Sequence, residues 1–309
     1  MGAYILKRLV LMVVTIFVII TITFVIMQLL PGSPYENEEK LSPEQIEELN
    51  KKYGLDKPVS VQYVQYLGNV AKGDLGNSFQ FGGRDVTKVI SDRLWVSVQL
   101  GIESIVVGVI LGLILGVVAA LRQGTFTDYG AVILAVLGIS IPSFLLAVLL
   151  QFVFSMNLEW FPVAYWEGPM HHVLPVLALA VGIMASVARF MRTEMVEILQ
   201  SDYIVFAKSK GLKRYTVIVK HSIRNALIPI ITIIGPMTAA IITGSLVIEK
   251  IFAIPGIGQQ FVESIYTNDY PVILGTTILY TVAFVIMIFV TDLLYGVVDP
   301  RIRLQGGDS

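Results

Sequence analysis

Few residues of this 309-residue chain have the type and spacing to do chemistry. There is no G-x-S-x-G, no H-E-x-x-H and no G-x-x-x-x-G-K-[ST], so serine hydrolysis, zinc proteolysis and P-loop nucleotide chemistry lack their usual frames. The glycine-rich "PGIGQQ" at Pro255–Gln260 has no Lys-Ser/Thr to hold phosphate and magnesium. His171 and His172 are adjacent, and on a helix they point apart, whereas a metal pair uses i, i+4 spacing. The chain has no cysteine, which excludes disulfides, thiolate metal sites and cysteine nucleophiles. Glu103 and Asp292 are acids inside apolar runs, and ionisable residues in such runs are candidates for function. One acid per run is too thin for a proton relay. The remaining concentration of chemistry is a basic island, Ser201–Pro229, carrying Lys208, Lys210, Lys213, Arg214, Lys220 and Arg224.

The elements that must position these residues are greasy. Hydrophobic residues make up 55% of the chain and charged ones 15%, against about a quarter charged in soluble domains. Uncharged runs of about 20 residues, enough to cross a hydrocarbon core of about 30 Å, predict an all-α integral membrane protein. Six spans are expected, at about 9–30, 96–121, 129–156, 172–190, 226–248 and 272–295. A central carboxylate costs roughly 3 kcal/mol on insertion scales, which the Leu, Ile and Val of the second span offset, so Glu103 does not prevent insertion. The first span follows Lys7 and Arg8 but exceeds a signal h-region and ends in "LLPGSP" without a small-x-small cleavage site, so it is expected to be retained. In the second, Gly108, Gly112, Gly116 and Ala120 form a small-residue stripe for close packing, within the chain or to a second subunit.

Lys and Arg set the orientation. Residues 1–8, 122–128, 189–225 and the tail from 296 carry most of the positive charge, while the short loops 157–171 and 249–271 carry only Lys250. The positive-inside rule puts the first group, with both termini, in the cytoplasm. The basic island is then cytoplasmic.

Residues 31–95 are too long for a simple connection. In "LSPEQIEELNKKYG", Ser42 is a predicted N-cap, Pro43 the first helical residue, Gln45 the partner in a capping box and Gly54 the stop. A second short helix ends near Gly73. In "VTKVISDRL", Val86, Val89, Ile90 and Leu94 share a helical face leading into the second span. The segment reads as a small helical extracytoplasmic subdomain with little core of its own. It could cap the spans or dock an outside partner.

Within the island, Asp202 is a predicted N-cap for a helix over 203–210, and Gly211 ends it in a left-handed conformation. Tyr203, Phe206, Ala207 and Lys210 share one face. Beyond Gly211 a second helical stretch puts Lys213, Lys220 and Arg224 on one stripe and Tyr215, Ile218, Val219 and Ser222 on another. A basic loop could merely fix topology and touch anionic lipid. A short capped helix with aromatics instead suggests a ridge that enters a partner's groove.

This stretch resembles the signature loop of permeases of binding-protein-dependent ABC importers, whose usual form is Glu-Ala-Ala, three residues, Gly, then Asn-Ala and a closing Pro. Here Val205-Phe206-Ala207 and Gly211 take the first places, and Asn225, Ala226 and Pro229 close it. The missing Glu and first Ala, with the long Gly-to-Pro gap, fit the peptide/nickel branch. So do "LKRLVLMVVTIFVIITITFVIMQLLPGSP", "EKIFAIPGIGQQFVESI" and "DPRIR", and "YGLDKPVSVQYVQYLGNVAKGDLGNS" resembles the outer subdomain of oligopeptide and dipeptide permeases. The resemblance implies a six-helix type I importer permease: residues 1–30 as N-terminal end and first span, 31–95 as extracytoplasmic subdomain, 96–295 as membrane core with coupling loop 189–225, and 296–309 as cytoplasmic tail.

It further implies a non-catalytic subunit of the bacterial inner membrane, forming half a translocation path for oligopeptides. Implied partners are the lipid bilayer, a homologous second permease, two cytoplasmic ATPases that bind ATP and magnesium, and an extracytoplasmic substrate-binding protein. Neither a cofactor on this chain nor a nucleic-acid partner is expected. Asp202, Tyr203, Phe206, Ala207, Lys208 and Gly211 take the ATPase-coupling role by resemblance. Phe252, Ile254, Pro255, Gly256, Gly258 and Gln259 take a place near the binding protein or the mouth of the path. Dipeptide and nickel permeases share these motifs. A self-sufficient channel or secondary transporter is the alternative class, but the spans show no convincing repeat between halves and few ionisable residues.

Overall fold

The computed structural model describes residues 2–29, 35, 41–242 and 245–298. Every named element is a helix. Helix α1 (Gly2–Leu29) is followed by α2 (Pro43–Tyr53), α3 (Val59–Ala71) and the 36-residue α4 (Val86–Leu121). Next come α5 (Phe126–Ser140), α6 (Ser143–Leu150), a π-helix over Gln151–Asn157, and α7 (Pro169–Leu199). The short α8 (Asp202–Ser209) and α9 (Arg214–Thr216) precede a second π-helix, Val217–Ile223. Then α10 (Arg224–Ile242), α11 (Leu246–Ile251), α12 (Ile257–Tyr266) and α13 (Tyr270–Val298) complete the order.

Among the described residues, four helical segments are long and apolar enough to cross a membrane: Arg8–Leu29, Val86–Leu121, Pro169–Leu199 and Tyr270–Val290. A fifth candidate is α5 with α6 and its π-helical extension, a pair bent by 102°. The apolar run predicts one span at about 129–156, and the break within it has a local cause. Pro142 offers no N–H and disfavours helical geometry before it, so Ile141 takes an extended conformation (φ −84°, ψ 118°). The expected span at about 226–248 corresponds to α10, which is described as far as Ile242. Residues 30–34 of the first motif, the "DPRIR" signature and the side chain of Asp292 lie outside the described residues.

The chain forms two compact units, one of Met1–Trp95 with Gly256–Val285 and the other of Val96–Pro255 with Ile286–Ser309. In the first, the capping box on α2 is complete: Ser42 Oγ accepts from the Gln45 N–H, and the Gln45 side chain accepts from the Ser42 N–H. Gly54 closes the helix at φ 70°. Neither α2 nor α3 has a buried residue, so this unit's core lies elsewhere. Val86, Val89 and Ile90 bury against Ile257 and Val272, with Leu94 packed alongside. Phe24 and Met27 of α1 pack with Tyr63, Tyr66, Ile273 and Leu274. The loop after α3 is clasped by Asp269, which accepts from Ser78 Oγ and, at 3.0 Å, from the Phe79 N–H. Gln80 Nε2 donates to the Thr267 carbonyl at 2.8 Å.

In the second unit α4 and α7 approach closely. A Cβ on Gly108 would fall 2.7 Å from Ile183, one on Gly112 2.7 Å from Val187, and one on Gly116 2.6 Å from Met191. The small-residue stripe therefore packs within this chain. It permits close van der Waals contact, a main attraction between helices in lipid.

Candidate functional site

Helix α7 delivers the chain to the basic island, and a fork of hydrogen bonds fixes α7 from the side. Asp128, in the first turn of α5, is 1% exposed. It accepts from Arg192 Nε at 2.5 Å and Arg192 Nη2 at 2.7 Å, and from the Gly124 N–H at 2.9 Å. Such bidentate geometry holds a planar guanidinium in one orientation. Nearby on α7, Met191 and Met195 bury against Ala226 and Ile230 of α10.

The short helix α8 has a different cap from that expected. Ser201 is the N-cap residue, with extended backbone (φ −72°, ψ 149°), and Asp202 stands in the first turn. The Ser201 hydroxyl donates back to the Ile198 carbonyl at 2.6 Å, while Asp202 complements the positive end of the helix dipole. The expected common face also divides. Ile204 and Ala207 turn inward with Val217, and Ile198 packs against them. Tyr203, Val205 and Phe206 remain 43%, 57% and 59% exposed, so these three carry the ridge while Ala207 seats it.

Two contacts shape the ridge. Lys210 Nζ sits 4.4 Å above the Phe206 ring, and Asn225 Nδ2 donates to the Tyr203 hydroxyl at 3.0 Å. Asp202 and Lys208 are exposed beside it. Gly211 adopts φ 77°, and a Cβ there would meet nothing within 4 Å, so its requirement is conformational rather than steric. Beyond α9 the π-helix shifts the register, and Ser222 Oγ donates to the Val217 carbonyl at 3.2 Å. The buried stripe is Val217, Ser222, Ala226 and Ile230, and of the predicted face Tyr215, Ile218, Val219 and Ser222 it includes Ser222. Tyr215 is exposed.

The second group of candidate residues is disposed otherwise. Phe252 and Ile254 are buried in a cluster with Leu100, Ala147 and Leu174. Gly256 and Gly258 are buried as well, Gln259 is half-buried, and Pro255 is exposed. Just before this stretch lies an acid that the sequence does not single out. Glu249 is fully buried and accepts from Ser97 Oγ at 2.6 Å.

Glu103 is not isolated in its span. It accepts from Gln99 Nε2 at 2.8 Å and lies 3.0 Å from His172 Nδ1. The Trp166 ring stacks on His172 at 3.7 Å. Among the described residues no group of three or more His, Asp or Glu gathers as a metal site. The Asp128–Arg192 fork also escapes a reading of the sequence, because its partners stand 64 positions apart and neither shows a local signature.

Comparison with known proteins gives this geometry a family. Residues 108–304 match the family described as binding-protein-dependent transport system inner membrane component, and residues 1–101 match the N-terminal family of such membrane components. The dipeptide transport system permease protein DppB of Bacillus subtilis is 52% identical over 99% of both chains. The oligopeptide transport system permease protein OppB of Escherichia coli is 40% identical over 98% of this chain and 100% of that one. Among solved structures, the inward-facing MetNI methionine ABC transporter matches with a TM-score of 0.57 at 16% identity, covering 69% of this chain and 97% of that chain. That likeness supports the fold alone. This chain belongs to the family of integral inner membrane components of binding-protein-dependent transport systems.

Proposed function

We propose that this chain is one permease half of an ABC importer for short peptides, and that α8 is where it meets an ATPase subunit. The observation that carries the reading is the exposed Tyr203–Val205–Phe206 ridge, seated from beneath by Ile204 and Ala207. A ridge of this kind suits a groove in a partner. Its rigid seat, tied to α7 and α10, would pass a push into the spans. Asp202 and Lys208 would flank the contact, and Gly211 would set the exit of the chain.

In this reading six helices cross the inner membrane with both termini in the cytoplasm, and the segment between α1 and α4 faces outward. A homologous permease completes the path, two ATPases supply ATP and magnesium chemistry, and a binding protein delivers cargo. The chain itself needs no cofactor and is not catalytic. Of the outer stretch, Pro255 and Gln259 offer accessible surface to the binding protein, while Phe252, Ile254, Gly256 and Gly258 would support it from within.

Oligopeptide cargo is the first reading. Dipeptide cargo is favoured by the higher identity to DppB, 52% in Bacillus subtilis and 47% in Lactococcus lactis, than to OppB at 40%. Affinity purification of the native complex, with mass spectrometry of subunits and bound ligand, tests both. Recovery of an ATPase, a second permease and peptide supports the proposal. Peptide uptake by this chain alone in liposomes without nucleotide overturns it.

A further inference from the structure

We propose that the groove between α4, α5 and α7 holds an anionic phospholipid, its phosphate on Arg189 and an acyl chain along Val132 and Val136. The cavity is about 120 Å³. Buried Ala119, Ala131, Ala135 and Ala188 form its floor, and Arg189 and Thr193 also line it. All three helices belong to candidate membrane spans, so hydrocarbon rather than bulk water meets their apolar faces. Val132 and Val136 complete the wall and are exposed, as expected of a surface that meets an acyl chain.

The charge balance selects the lipid. Arg192, also in the lining, is already committed to Asp128 through two short hydrogen bonds. Arg189 is exposed, and among the described residues no carboxylate pairs with it. Its guanidinium lies 5.7 Å from the Phe190 ring centroid, a contact that neutralises no charge. The next acid along the same face of α7, Glu197, is eight residues on, about 12 Å along the axis. Thr193 donates its hydroxyl to the Arg189 carbonyl, and among the described residues no hydrogen bond occupies the Arg189 guanidinium, which can donate to an anion. Arg122, just past the end of α4, approaches Thr127 Oγ1 at 3.4 Å, adding positive charge close to Asp128. Arg122, Arg189 and Arg192 thus stand near the N-terminal end of α5, where Asp128 pairs with Arg192. A basic pocket between spans is suited to an anionic headgroup.

The test uses the assembled transporter in liposomes containing phosphatidylglycerol with a photoreactive acyl chain. Labelling is mapped by mass spectrometry and compared with a phosphatidylethanolamine probe of the same chains. The expected result is labelling of residues 131–136 by the anionic probe, reduced about fivefold in Arg189→Gln and retained in Arg189→Lys. Val132→Trp, which fills the groove and leaves the charges in place, should lower labelling as well. Should Arg189→Gln fail to assemble, the Arg189→Lys and Val132→Trp arms still decide. Equal labelling by both probes, or anionic labelling unaffected by Val132→Trp, overturns the proposal.

Discussion

Two stretches that both resemble motifs of the family have opposite physical character. Helix α8 shows solvent its aromatic residues, with Phe206 59% exposed. The stretch from Phe252 to Gln259 hides its large apolar side chains, with Phe252 2% and Ile254 0% exposed. A motif can persist because a partner reads it or because the fold is built on it, and burial separates the two. Side chains on α8 are free to touch another subunit, whereas Phe252 and Ile254 hold their own unit together.

Substitutions sharpen that contrast. The largest effect is expected from Phe252→Ala, which removes a fully packed ring and should cost about 3–5 kcal/mol. Loss of folded protein in the membrane, measured by fluorescence-detected size exclusion, checks it. Phe206→Ala should leave the unfolding midpoint nearly unchanged, within about 0.5 kcal/mol, while transport falls. Equal destabilisation by the two would erase the distinction.

Asp128→Asn comes next. It would leave the partly exposed Arg192 guanidinium without its counter-charge, at a cost of about 2 kcal/mol. Thermal unfolding of the purified complex reads it, and full stability would mean that the fork contributes little. Smaller again is Gly211→Val, where a β-branched residue must adopt φ near 77°, at a cost of about 1–2 kcal/mol. Insertion should persist while ATP hydrolysis no longer drives uptake. Normal uptake would remove α8 from the coupling role.

The smallest effect concerns pH. Burial pushes the Asp269 carboxyl above its usual range, although hydrogen bonds from Ser78 and the Phe79 N–H oppose the shift. A raised pKa in the folded state means that the folded chain holds the proton more tightly than the unfolded one. Asp269 therefore favours folding most below its unfolded pKa, and that contribution is lost as pH rises through the folded value. Asp269→Asn should flatten this part of the pH–stability curve. An unchanged slope would show that Asp269 is not its source.

What the sequence reveals is local. The Ser42–Gln45 box, the Gly54 and Gly211 stops and the Val86–Val89–Ile90 face depend on neighbours within a turn or two, so spacing alone exposes them. Pro142 is a local signal too, but the length of the apolar run around it hides the bend. The division of α8 into a seat and a ridge is not readable, because it depends on Val217 and Ile198 folding back beneath it. The π-helix at Val217–Ile223 moves the buried stripe, which a fixed period of 3.6 cannot anticipate. Asp128 with Arg192 and Ser97 with Glu249 join distant positions, and one sequence carries no sign of such pairing.

The central claim is that the α8 ridge touches an ATPase subunit. A photoreactive benzophenone side chain at position 206, in the assembled and transport-competent complex, tests it most directly, with position 204 as the buried control. A crosslink from 206 to an ATPase subunit and none from 204 is the expected result. A crosslink from 206 only to lipid or to the binding protein, or equal yields from both positions, would contradict it.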